Sequence, residues 1–217
     1  MNHATLTYAF DAYCGWCYGF SPALRDFAAQ NADRVGIRVL SGGLFSGDRA
    51  KPIGDFPHIP KANQRIGQLT GARFGEAYQR VLAEGTLVMN SDDAAAGLVA
   101  LRRHRPEAAV ELAGAVQRAW YVDGKSLSDV EVYQGIAAEH GLDPVAVARD
   151  FTDPDVRAEA RSDMLELRRL DVDHYPTLLL HTAHGTQQLG GPVSTAAALT
   201  TALDQHLVRT GAGSQNA

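Results

Sequence analysis

Cysteine is almost absent from this sequence. Its 217 residues hold only Cys14 and Cys17, so it can build neither a disulfide framework nor a four-thiolate zinc site. Long apolar runs are missing too: nothing approaches the roughly 20 residues of a membrane-spanning helix. Positive charge is not in excess. Twenty Lys and Arg against 25 Asp and Glu give a net charge of −5, which favours neither nucleic acid nor an anionic membrane. The eight histidines are scattered, and no internal repeat is visible. The opening Met1-Asn-His-Ala-Thr runs straight into a strand pattern, without the basic and apolar regions of a signal peptide. The expected location is therefore the cytoplasm, where a lone C-x-x-C is more often catalytic than structural. A hydrophobic content of 45% supports a sizeable core, as one domain or one domain with a large insertion.

Both cysteines lie in Asp11-Ala-Tyr-Cys14-Gly15-Trp16-Cys17-Tyr-Gly-Phe20. The apolar Leu6 to Phe10 precedes them. After them Trp16, Cys17, Phe20, Leu24, Phe27 and Ala28 recur at helical intervals. Cys14 is thus expected just past a strand end, at the first turn of a helix, where free backbone N–H groups and the helix dipole stabilise a thiolate. No lysine or arginine lies between Ala4 and Leu24 to add to that effect. Cys17, one turn in, is the shielded partner and can close a disulfide with Cys14, a two-electron couple. Two other readings stay open at this point. The pair could be half of a zinc site completed by histidines such as His174, His181 and His184, although these lack the spacing of a finger. It could also be two inert buried thiols.

Strands are expected at residues 5–10 and 34–40, joined by a helix from Cys14 to about Ala29 with Pro22 inside it, where a kink is predicted. This strand, helix, strand unit implies parallel pairing. Ser41-Gly-Gly43 closes the second strand. The Gly- and Pro-rich residues 44–60 read as an irregular connection. Helical signals follow: residues 72–83; a helix capped by Ser91; one opened by Pro106; one with a capping box at Ser128 to Glu131 and a stop at Gly141; and two begun by Asp143-Pro144 and Asp153-Pro154. Residues 176–180 and 185–189 read as a hairpin with a turn at Gly190 to Pro192, and Ser194 as the cap of a last helix. The expected fold class is α/β. Residues 1–60 and 171–208 form one discontinuous domain, residues 61–170 an all-helical insertion, and residues 209–217 a disordered tail.

This order and the cysteine motif resemble the thioredoxin fold with a helical domain inserted, the DsbA-like branch. Within it, Asp11-Ala-Tyr-Cys14-Gly-Trp-Cys17-Tyr-Gly, Ser41-Gly-Gly43 and Tyr175-Pro176-Thr177 resemble the FrnE-type, predicted protein-disulfide-isomerase group. The resemblance runs to about residue 208. It implies that Cys14 is the attacking cysteine and Cys17 the resolving one. It also implies a cis Tyr175-Pro176 bond beside them, and Tyr13, Gly15, Trp16, Tyr175 and Thr177 as active-site neighbours. Thioredoxin and DsbA carry a buried carboxylate six residues before the first cysteine; Tyr8 stands there here. The nearby acid, Asp11, is available to cap the helix or to take a proton. The ring of Trp16 suits either covering the sulfurs or contacting substrate.

The function implied is thiol–disulfide oxidoreductase or disulfide isomerase. Expected substrates are protein, peptide or low-molecular-weight thiols and disulfides, with no cofactor or metal and no nucleic-acid or membrane partner, in a monomer or homodimer. Two alternatives remain. One is a glutathione-dependent isomerase or transferase of the same inserted fold, although such enzymes use serine where Cys14 stands. The other is a non-enzymatic redox sensor or zinc clip.

Overall fold

The computed structural model describes residues 4–182 and 185–213, with side chains through Leu207. Strand β1 (Ala4–Phe10) leads through the cysteine turn into helix α1 (Gly15–Gln30), which continues unbroken past Pro22. Strand β2 (Val35–Ser41) then pairs parallel to β1, with Tyr8 opposite Val39. Near the C-terminus β5 (Thr177–Thr182) runs antiparallel to β1 on its other side, and β6 (Gly185–Gly190) completes the hairpin. The sheet order is β2-β1-β5-β6. Successive side chains point to opposite faces, and β1 and β5 are buried on both over most of their length. Leu6, Tyr8 and Phe10 join Leu178, Leu180, Leu24 and Phe27 in the main core. Ala9 and Leu40 turn the other way, onto Leu167. The last helix (α9, Ala196–Gly213) adds Leu199 and Leu203 to the main core.

Between β2 and β5 the chain makes seven helices: α2 (Ile59–Thr70), α3 (Glu76–Glu84), α4 (Ser91–His104), α5 (Ala109–Tyr121), α6 (Val130–Glu139), α7 (Pro144–Thr152) and α8 (Pro154–Arg169). α4 is their centre, buried continuously from Ala94 to Leu101. The block is fastened to the sheet. Arg102 of α4 donates to the Val39 carbonyl at 2.7 Å and to both Asp163 oxygens, at 2.8 and 2.9 Å, while Asp163 of α8 accepts Ser41 N–H at 3.2 Å. These bonds occupy the outer edge of β2, which is otherwise open to pairing. One continuous core spans sheet and helices. Among the described residues no helix is long and apolar enough to cross a membrane.

Several local expectations are corrected. Residues 44–60 are not wholly irregular: two single 3-10 turns flank β3 (Lys51–Pro52), which pairs with β4 (Val88–Met89). β4 therefore interrupts the otherwise helical block. α2 was not foreseen; its Pro60 lies in the first turn, where proline is tolerated. The helix expected at 72–83 starts only at Glu76. Asn90, not Ser91, caps α4, accepting Asp92 N–H at 3.0 Å, while Ser91 Oγ accepts Phe45 N–H at 3.0 Å. The capping box at Ser128 is not formed: Asp129 is the N-cap, without a side-chain bond. Ser194 caps nothing; its Oγ accepts Gly191 N–H, and Thr195 reaches Ala198 N–H at the start of α9. α9 runs to Gly213, so the expected tail is helical at its start, and residues 214–217 lie outside the described residues. Gly141 does stop α6 at φ 67°, and Asp143 and Asp153 cap the helices that follow them.

Candidate active site

The site begins where β1 ends. Cys14 is the N-cap of α1, with extended backbone, and its sulfur accepts Cys17 N–H at 3.3 Å, the bond a serine or aspartate cap makes. Across the sheet the Tyr175-Pro176 bond is cis. The Cys14 thiol donates to the Tyr175 carbonyl at 3.4 Å. Cys14 is thus held between an N–H donor of its own helix and the carbonyl before the cis bond. Both cysteines are free, with Cys14 5% exposed and Cys17 fully buried behind it. Burial and the adjacent Cys14 push the Cys17 thiol well above its usual range.

The neighbours named from the sequence lie at the start of α1 and the start of β5, and several other elements pack onto them. The Tyr13 carbonyl accepts the Tyr121 hydroxyl of α5 at 2.6 Å, and its ring meets Trp120 edge-on at 5.0 Å. α2 lies directly on Gly15: a methyl group there would stand 2.8 Å from Ile66 Cδ1 and 3.4 Å from Asn63 Oδ1. Glycine follows Cys14 because a helix of the insertion occupies the space of any side chain. Trp16 is half-buried, packed against the core and lining the cavity beside Cys14. Gly42, in the Ser41-Gly-Gly43 segment, makes room for the Tyr175 ring; a Cβ there would enter it. Thr177 Oγ1 donates to the His174 carbonyl at 2.9 Å and fixes the turn before β5.

Asp11 does not cap the helix. It is 1% exposed, and its carboxylate accepts Tyr13 N–H at 2.9 Å and Leu44 N–H at 2.8 Å, tying the cysteine turn to the segment after β2. Burial outweighs these donors and lifts its pKa from 3.8 to about 6. Sequence reading named Asp11 but not this link, nor Tyr121 and Asn63. Their signal, polar groups on otherwise apolar helix faces, becomes legible only once the faces are known. Asn63 donates to the Tyr78 hydroxyl at 3.0 Å. A cavity of about 170 Å³ opens beside Cys14, walled by Trp16, Leu44, His58, Asn63 and Trp120. It can admit one side chain or one arm of a small molecule to the sulfur. Among the described residues no group of three or more His, Cys, Asp or Glu side chains is placed to hold a metal ion.

Comparisons with known proteins match the fold over nearly the whole chain. A Nitrosomonas europaea protein titled "putative protein disulfide isomerase" superposes with a TM-score of 0.83 at 19% identity, covering 96% of this chain and 99% of its own. The cytosolic disulfide reductase DsbM of Pseudomonas aeruginosa gives 0.80 at 27% identity, covering 94% and 99%. The structure of DsbM with GSH gives 0.77 at 28%, covering 94% and 98%. No curated protein matches. The family model described as "DSBA-like thioredoxin domain" matches residues 5–192. The chain therefore belongs to the DsbA-like thioredoxin-domain family, whose members are thiol–disulfide oxidoreductases and isomerases.

Proposed function

We propose that the chain reduces disulfides through the Cys14-Gly15-Trp16-Cys17 couple. Cys14 thiolate attacks one sulfur of a substrate disulfide, forming a mixed disulfide and releasing the other sulfur as a thiolate. Cys17 then attacks Cys14, the mixed bond breaks, and the second substrate sulfur leaves reduced. A low-molecular-weight thiol of the glutathione type restores the dithiol and is itself oxidised. The observation that carries this reading is the asymmetry of the pair: Cys14 at the helix start on the cavity, Cys17 sealed behind it. The Tyr175 backbone beside Cys14 suits strand-like pairing with an extended substrate.

The reductive direction, the cytoplasmic setting and the thiol partner are supported by the likeness to DsbM, titled a cytosolic disulfide reductase and also solved with GSH. The small cavity supports peptide or low-molecular-weight disulfides as substrates. In the same reading residues 61–170 are the inserted domain and residues 1–60 and 171–208 the thioredoxin-like one. Reduction of a glutathione-capped peptide and of insulin, with glutathione as the final reductant, tests the proposal. Turnover that Cys14→Ser abolishes is expected; a reduced wild-type protein that leaves both substrates oxidised refutes it.

A further inference from the structure

Cys17 must become a thiolate to resolve the mixed disulfide, yet it is fully buried. A buried anion needs donors. Besides Cys14, two groups lie close enough to interact with its sulfur: the backbone N–H of Asp11 and the hydroxyl of Tyr8. Tyr8 is 2% exposed, and its ring is fixed against Phe10 at 5.6 Å and Phe20 at 6.0 Å, so the hydroxyl cannot turn to water. Among the described residues that hydroxyl has no formed hydrogen-bond partner. A buried, unpartnered hydroxyl is a cost to the fold that phenylalanine would avoid. Its oxygen has a purpose if a partner arises during turnover, and the group it faces is the one sulfur that gains charge there.

We propose that the Tyr8 hydroxyl and the Asp11 N–H receive the negative charge of Cys17 in the resolving step, which makes Tyr8 a further catalytic residue. This rests on the function proposed above. In that step the Cys17 sulfur forms a bond to Cys14 Sγ. The electron pair of the Cys14–substrate bond leaves on the substrate sulfur, and the proton given up by Cys17 ends there. Tyr8 donates a hydrogen bond throughout and exchanges no proton. Burial drives its own ionisation well above the usual tyrosine range, so it remains a donor. Cys14, Asp11, Tyr121 and Tyr175 are the other titratable groups interacting with Cys17.

The test is rapid mixing of reduced protein with glutathione disulfide, acid quenching, and mass spectrometry of the mixed disulfide on Cys14 over time. In Tyr8→Phe the first step should stay within about twofold of wild type. The resolving step should slow about tenfold or more, the scale of one hydrogen bond to a charged group, and its pH profile should move to higher pH. In a second variant 2,3-difluorotyrosine at position 8, a stronger donor, should resolve faster than wild type. A resolving rate unchanged in both variants overturns the inference, and if Tyr8→Phe does not fold the fluorinated protein decides alone. A wild type that never forms the mixed disulfide overturns the function and this inference with it. A mixed disulfide that every protein resolves alike overturns only the role of Tyr8.

Discussion

Raising the pH through 6 should ionise Asp11 in the folded protein and cost stability. Its carboxyl is lifted to about 6, against 3.8 for an ordinary aspartate, because burial outweighs the N–H groups of Tyr13 and Leu44. Between those values the folded state holds a proton that the unfolded state has released. The contribution of Asp11 to stability is therefore largest in acid and falls as pH rises through about 6. These two pKa values give a loss of about 1.4 kcal/mol between pH 5 and pH 8. Asp11→Asn cannot ionise, and every other titrating group is common to both proteins. The variant keeps one acceptor and turns an NH₂ toward the other N–H, an offset of about 1–3 kcal/mol that does not vary with pH. Urea unfolding of both reduced proteins at pH 5 and pH 8 measures the difference. Wild-type stability relative to the variant should fall by about 1.4 kcal/mol from pH 5 to pH 8; parallel pH dependence would refute the reasoning.

Gly15→Ala should push Ile66 and α2 away from the cysteine turn and cost about 1–3 kcal/mol by overpacking; a thermal melt identical to wild type would contradict it. Gly42→Ala should displace the Tyr175 ring and slow exchange, and Gly42→Ala/Tyr175→Ala should recover the stability lost by the single change, as read by urea unfolding. Arg102→Leu strands the buried Asp163 carboxylate and should cost on the order of 3–5 kcal/mol. The double variant Arg102→Leu/Asp163→Leu should recover part of it, and chemical denaturation of the three proteins decides.

The sheet and the cysteine junction were legible because their signals are local and strong. Alternation at Val35, Ile37 and Val39 named β2, the periodicity after Cys14 named α1, and the two Asp-Pro pairs named helix starts that the structure shows. The errors come from residues with two uses. Ser91, Ser128 and Ser194 each have the chemistry of a cap, but Ser91 and Ser194 bond elsewhere and Ser128 is displaced by the neighbouring Asp129. The start of α2 is hidden because Pro60 reads as the end of the Gly- and Pro-rich connection, whereas it sits in the first turn of the helix. The cis bond at Pro176 was readable only through resemblance, because an isolated proline at a strand start carries no mark of its isomer. The insertion proved less separable than its sequence suggests: it shares the main core with the sheet, and Arg102 and Asp163 seal the edge of β2. Deleting residues 61–170 would bare that core rather than isolate a smaller enzyme.

The central claim is that Cys14 attacks and Cys17 resolves. Peptide mapping of the adduct formed when Cys17→Ser meets a glutathione-capped peptide disulfide tests it most directly. A single stable mixed disulfide on Cys14 is predicted, while wild type passes through that adduct to an internal Cys14–Cys17 bond. Failure of Cys17→Ser to form an adduct, or a Cys14→Ser protein that captures substrate on Cys17 just as fast, would contradict the account.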